Sequence, residues 1–294
     1  MSNENYLEVQ GLKMHFKRGE DVLAGVDLSL AAGSVTGLLG KNGAGKTTLM
    51  RIALGLLQAD TGEVKIFGES AWQASSQARS RIGYVPQTDV AFNWMKVHDA
   101  LNLVGSFYEQ WDTALLDRYI KEWDVDSTAY IEDLSRGQRQ KVAILMAIGH
   151  GPDLLILDEP VASLDPGARR QFLQAIVELN QDLNRSILFS THITSDLERV
   201  AADVAVLHGG RLTFQGDLDQ LKEQCQKLYF KGDSLPANMQ VEGIENYTCQ
   251  GNQASAFARN WSQDQTLALA QSLGVNVVAE SLPLEELFLE LTHE

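Results

Sequence analysis

A short, mainly apolar run, Val35–Leu39, leads directly into Gly40-Lys-Asn-Gly-Ala-Gly-Lys-Thr47. Such a run is what a strand buried on both faces looks like, and Thr47–Leu57 reads as a helix after it. Strand, glycine-rich turn and helix in that order point to a layered α/β domain. The stretch fits the pattern GxxxxGK[ST], whose chemistry is phosphate binding. Gly40, Gly43 and Gly45, with Asn42 and Ala44 between them, let backbone N–H groups turn toward an anion with no Cβ in the way. Lys46 is then expected to reach the β- and γ-phosphate oxygens and the Thr47 hydroxyl to coordinate Mg²⁺. Thr48 lies in the first turn of that helix, whose N-terminus faces the same anion. Taken alone, a plain glycine-rich turn is the alternative.

A second apolar run, Leu154–Leu157, ends in Asp158 and Glu159. Strands of open α/β sheets deliver such residues to their C-terminal ends, where ligands bind. There Asp158 is expected in the Mg²⁺ shell and Glu159 as the group that orients and deprotonates an attacking water. Elsewhere Tyr6–Phe16 and Val22–Leu30 alternate as half-buried strands around the turn Lys17–Asp21, and Gln77–Val85 ends in an apolar strand. Residues from Asp89 to Asp133 take helical periodicity with Trp94, Trp111, Tyr119 and Trp123, and Arg136–Gly149 reads as another helix. Gly167–Asn184 and Ser195–Ala202 are expected helices around the strand Ser186–Ser190, and Gly209–Gly210 should turn a hairpin. From Gly216 the pattern changes to a small α+β unit: helix Asp217–Lys227, strand Leu228–Gly232, irregular strands to Phe257, helix Gln263–Leu273, strand Val275–Glu280 and helix Leu284–Thr292.

Leu134-Ser-Arg-Gly-Gln138, opening a helix, resembles the LSGGQ signature of ATP-binding-cassette (ABC) proteins. Gln87, the loop Ser163-Leu-Asp165 and His192 also follow in the order of that family. The resemblance covers about the first 215 residues. It implies a P-loop NTPase with a RecA-like parallel sheet core, an N-terminal antiparallel β subdomain and an inserted α-helical subdomain at about 88–150. The cassette would span 1–215, and 216–294 would be a small C-terminal α+β accessory domain. It further implies ATP and Mg²⁺ as ligands and a head-to-tail dimer, homomeric or with a second ABC ATPase, closing over two ATP molecules. Ser135, Gly137 and Gln138 would contact the nucleotide held by the opposite subunit, helped by the free N–H groups of their helix N-terminus. Gln87 would join the metal shell and sense the γ-phosphate, His192 would help hold the water, Asp165 would couple the two sites, and Phe16 would stack on adenine. For Phe16 an ordinary core position is the alternative. Arg136 departs from the family, replacing the middle glycine of the signature.

The net charge of −15 argues against a nucleic-acid partner, which demands a basic footprint. Two cysteines provide no disulfide framework, the N-terminus lacks the pattern of a secretory signal, and no apolar run approaches the length of a membrane helix. These features fit a cytoplasmic protein, and the ABC resemblance implies a place on the inner face of the membrane with a separate integral-membrane permease as partner. The segments Phe107–Asp112 and Leu134–Ile148 look like those of the detached ATPase subunits of bacterial drug and antibiotic exporters, and the terminal Leu284–Thr292 resembles the end of their C-terminal extension, with simple amphipathic packing as the alternative. Phe92, Trp94 and Met95 are candidate permease contacts or subdomain core. An importer ATPase and a soluble ATP switch, with the acidic tail as docking domain, are the alternatives.

Overall fold

The computed structural model describes residues 5–16, 21–87, 92–161, 164–183, 185–232 and 235–292. The chain divides into two compact units, Met1–Gln215 and Gly216–Glu294. The first opens with strands β1 (Asn5–His15), β2 (Asp21–Ala31) and β3 (Val35–Leu39). Helix α1 (Lys46–Ala53) follows, then β4 (Thr61–Ile66), β5 (Glu69–Ser70), α2 (Ser76–Arg79) and β6 (Ile82–Val85). Helices α3 (Val97–Gly105), α4 (Thr113–Glu122) and α5 (Arg136–Ile148) come next. The unit closes with β7 (Leu154–Leu157), α6 (Pro166–Leu183), β8 (Ser186–Thr191), α7 (Thr194–Val200), β9 (Asp203–His208) and β10 (Arg211–Asp217).

The first sheet is antiparallel, in the order β2-β1-β4-β5. Its alternation changes phase within β1: Leu7 and Val9 are buried, and then Leu12 and Met14. Side chains on a strand repeat every second residue, so an unbroken strand would turn Leu12 outward. An irregularity between Val9 and Leu12, with Gly11 at φ 56°, takes up the extra residue and keeps all four side chains in the core. That core is shared with Leu49 and Met50 of α1 and with Leu154, Ile156 and Leu188 of the second sheet.

The second sheet runs β10-β9-β3-β8-β7-β6, with β6, β7, β8, β3 and β9 mutually parallel. β3, β7 and β8 are buried along their whole length, which fits the mainly apolar β3 and the wholly apolar β7, while β8 also buries Ser186, Ser190 and Thr191. Because β3, β8, β7 and β6 are parallel neighbours, the residues that follow them emerge at one edge. These are the glycine-rich loop, His192, the Asp158–Glu159 pair and Gln87.

Gly37 shows how tightly this sheet is covered. A Cβ there would lie 1.7 Å from Leu197 Cδ2, a wholly buried side chain of α7. Gly37→Ala is expected to cost about 1–3 kcal/mol through overpacking, read as a lower urea midpoint at unchanged m-value.

Between β6 and β7, Tyr119 and Trp123 are buried with ring centroids 4.8 Å apart, whereas Trp94 is 70% exposed. The segment is helical as its periodicity predicts. Residues 88–91, where it was expected to begin, lie outside the described residues. Helix α1 stops at Ala53, short of the expected Leu57, because the Leu56 N–H returns to the Arg51 carbonyl across Gly55, at φ 66°. Helix α2, within a stretch expected only to lead into a strand, is nucleated by Ser75, whose Oγ accepts from the Ala78 N–H.

The second unit comprises α8 (Leu218–Gln224), β11 (Cys225–Lys231), β12 (Ile244–Gln250), β13 (Gln253–Arg259), α9 (Gln263–Leu273), β14 (Asn276–Ser281) and α10 (Leu284–Leu291). Its sheet is antiparallel, in the order β12-β13-β11-β14. The expected helix Asp217–Lys227 ends three residues early, because Cys225–Lys227 pair with β13 on one side and Gln226 and Lys227 with β14 on the other. The strands up to Phe257 are regular apart from one shift in β12. Helix α9 has the expected limits, set by local chemistry. Ser262 and Gln265 form a reciprocal capping box at its start, and Gly274, at φ 65°, ends it. In α10, Leu284, Leu287 and Leu291 are buried, and Glu290 pairs with Lys227 and accepts from Asn246 at 2.8 Å.

Candidate nucleotide site

The glycine-rich loop opens α1 with Gly45 as its N-cap at φ 105°, a left-handed conformation that glycine adopts without strain. A Cβ at Gly45 would also meet the Val22 carbonyl at 2.8 Å, so the position admits no side chain. Lys46, the first residue of the helix, is buried and folds back over the loop. Its Nζ donates to the Gly40 carbonyl at 2.7 Å and the Lys41 carbonyl at 3.3 Å.

The same Nζ lies 3.2 Å from Glu159 Oε1. Glu159 is buried and stands at φ 50° just past β7. Its second oxygen, Oε2, is 2.7 Å from His192 Nδ1. One carboxylate therefore joins the loop lysine to the histidine that follows β8, and His192 remains 42% exposed at its side chain. Burying two charges costs several kcal/mol per ion unless they are paired and hydrogen-bonded. Lys46 meets that condition through Glu159 and two carbonyls.

Behind this chain sits Asp158, fully buried. Its Oδ1 accepts from Ser190 Oγ at 2.7 Å, while Oδ2 has no hydrogen-bond partner among the described residues. Burial, followed by the charge of Asp158, raises the pKa of Tyr84 on β6. An orphaned buried carboxylate oxygen fits a cation ligand. Among the described residues no three His, Cys, Asp or Glu side chains cluster as a metal cage. A carboxylate, a hydroxyl and an amide suit Mg²⁺, which keeps several waters and shares substrate phosphates.

A cleft of about 290 Å³ opens over the loop. Asn42, Gly43, Gly45, Lys46, Thr47 and Thr48 line it from one side. Gln87 and Glu159 face them, together with Val22. Ala44 packs with the core beneath instead, its N–H bonded to the Lys41 carbonyl at 3.1 Å. Asp158 and His192 join the cleft through Ser190 and Glu159 respectively and do not line it.

Phe16, Ser135, Gly137, Gln138 and Asp165 are not among the residues lining this cleft. Phe16 is 50% exposed, so it is no core residue. Ser135 caps α5, its Oγ accepting from the Gln138 N–H at 3.2 Å while Gln138 Oε1 accepts from the Ser135 N–H at 3.1 Å. The Gln138 side chain is thus turned onto its own helix cap, and Ser135 and Arg136 are exposed beside it. Asp165 Oδ1 accepts from the Gly167 and Ala168 N–H groups at 2.9 and 3.1 Å. Those backbone bonds, that of Ala168 foremost, hold its carboxyl below the usual range. Ser163 lies outside the described residues.

Residues that sequence reasoning did not single out complete the frame. Ser190 holds Asp158, and its only signal was its place in Ser-Thr-His at the end of an apolar strand. Arg169 of α6 grips Asp196 of α7 with two contacts of 2.7 and 2.6 Å, tying the helix capped by Asp165 to the one after His192. Nothing local in the sequence marks that pair. The whole arrangement can bind a polyphosphate against backbone N–H groups and Lys46, beside a carboxylate suited to activating water.

The chain is similar to known proteins over most of its length. A family model described as ABC transporter matches residues 23–162. The Nod factor export ATP-binding protein I of Cupriavidus metallidurans is 31% identical over 280 residues, 92% of either chain. The bacitracin transport ATP-binding protein BcrA of Bacillus licheniformis is 29% identical over 204 residues, 69% of this chain and 67% of its own. A solved ATP binding subunit of an ABC transporter superposes with a TM-score of 0.67 at 30% identity, over 74% of this chain and 92% of its own. The core is that of a P-loop NTPase, in agreement with the resemblance carried by the motifs. With a relative 31% identical matched over 92% of either chain, and with the glycine-rich loop and Glu159 lining one cleft that His192 and Asp158 adjoin, the chain belongs to the ABC transporter family as an ATP-binding subunit, of the cassette type that hydrolyses ATP to power transport.

Proposed function

We propose that this chain powers export, working in the cytoplasm on the inner face of the membrane beneath a separate integral-membrane permease. The direction is supported by the relatives named for Nod factor export and bacitracin transport. No helix among the described residues is long and apolar enough to cross a membrane, and in this reading the permease supplies the passage. Trp94 at 70% and Phe107 at 74% exposure are large apolar surfaces available to it.

The observation that carries hydrolysis is Glu159, buried between Lys46 and His192 at the mouth of the phosphate cleft. ATP phosphates entering the cleft compete with Glu159 for the Lys46 ammonium. Oε1 is then free to orient and deprotonate the attacking water, and His192 holds Oε2 in place. Thr47, Gln87 and Asp158 would hold Mg²⁺, which neutralises developing charge on the phosphates when bound. The exposed N-terminus of α5, with Ser135, Arg136 and Gly137, is suited to meet the γ-phosphate of a second subunit, a homodimer or a heterodimer with another ABC ATPase. Phe16 would stack on adenine and Asp165 would couple the two sites.

Co-expression with a candidate permease, a separate integral-membrane protein, is the test. The two should purify together from membranes, and vesicles holding both should extrude a substrate only with ATP. ATP-driven uptake instead would reverse the direction, and a soluble partner alone would overturn the transporter reading.

A further inference from the structure

Ser190, the penultimate residue of β8, is completely buried, and its one hydroxyl serves both members of the acidic pair. Its Oγ accepts from the Glu159 N–H at 2.8 Å and is 2.7 Å from Asp158 Oδ1. A backbone N–H only donates, so the single hydroxyl proton is left for Asp158. The register explains the meeting: Leu157 of β7 pairs with Phe189 of β8, which sets Asp158 opposite Ser190 on adjacent parallel strands.

Two consequences follow from that one oxygen. Asp158 Oδ1 is occupied by Ser190, so Oδ2, buried and without a partner among the described residues, is the oxygen left over. Glu159 stands at φ 50°, a conformation a non-glycine residue holds only when its surroundings enforce it. Its N–H bond to Ser190 is one such enforcement, at the residue whose side chain reaches Lys46 and His192.

We infer that Ser190 is a positioning residue for ATP hydrolysis, selecting the Asp158 oxygen that is free for Mg²⁺ and fixing the backbone turn from which Glu159 works. This rests on the reading of Asp158 as the Mg²⁺-shell carboxylate. The test uses the full chain and a fluorescent ATP analogue, titrated with excess Mg²⁺ and with chelator, alongside ATP turnover. Ser190→Ala is expected to lose about tenfold of the Mg²⁺-linked gain in affinity, the scale of one lost hydrogen bond to a charged group. Its affinity in chelator should stay within about twofold of the parent, and its turnover should fall about tenfold or more. Ser190→Thr, which keeps the hydroxyl, should recover both. Adding Ser190→Ala to Asp158→Asn should remove no further Mg²⁺-linked affinity, because the two act through one contact.

A Ser190→Ala protein with undiminished Mg²⁺-linked gain, a Thr variant no better than Ala, or additive losses in the double variant would each overturn the inference while leaving the site intact. If Ser190→Ala melts below assay temperature, Ser190→Cys replaces it, a weak donor expected to behave like Ala beside Thr. Absence of any Mg²⁺-linked gain in the parent protein would instead remove the reading of Asp158, and the inference with it.

Discussion

Glu159→Gln is expected to lower ATP turnover by about 10²–10⁴-fold, the span that a positioned general base contributes. The substitution keeps shape and removes charge. An amide cannot accept the proton of the attacking water, and it no longer forms the 3.2 Å ion pair with Lys46 or accepts from His192 as a carboxylate. ATP affinity should hold or rise, because the Lys46 ammonium loses its internal anion and is left to the phosphates alone. ATP should then accumulate uncleaved between two subunits, so size-exclusion chromatography with ATP should show a dimer that the parent protein forms only transiently. Turnover within about twofold of the parent would remove Glu159 from the general-base role.

Lys46→Ala acts on binding. Lys46 is buried, with two carbonyls of the glycine-rich loop and Glu159 as partners. Losing its charge-assisted contacts to phosphate should weaken ATP binding about 10- to 100-fold. A second effect opposes any recovery: Glu159 stays buried without its ammonium, with His192 alone beside it. Removing one partner of a buried ion pair is costly to the fold, so the melting temperature should drop as well. Measuring both separates the effects, since restoring thermal stability with stabilising solutes should leave the ATP affinity low. Retained affinity in Lys46→Ala would contradict the phosphate-loop assignment.

The two variants also part in a way that tests the shared carboxylate. Glu159→Gln should be a tight-binding, inactive protein and Lys46→Ala a weak-binding one. The same ion pair is broken in both, and only the identity of the surviving partner differs.

Features encoded within a few residues were legible in the chain. β3, the glycine-rich loop and α1 follow one another directly, and β7 leads into Asp158 and Glu159, so strand burial and motif spacing sufficed. The limits of α9 were read correctly because both of its caps are local. Where an element's end depended on distant pairing, the reading slipped. α8 gives up Cys225–Lys227 to β11 only because β13 and β14 are there to pair with them. At α1 the cause was local instead: Leu54–Leu57 leave the helix because a turn at Gly55 competes with continued helix.

By itself, then, the sequence determined the chemistry on offer: a phosphate loop, an acidic pair after a buried strand, a histidine after another, and a signature at a helix start. Hydrophobic period, glycine conformational freedom and helix capping act over a few residues and need no partner. What the tertiary structure decided is which of these groups meet. Only the placement of β8 between β3 and β7 sets Glu159 between Lys46 and His192 and gives both acids to Ser190. That order follows from burying β3, β7 and β8 on both faces at once. Such a requirement belongs to the whole sheet and leaves no mark at any single position.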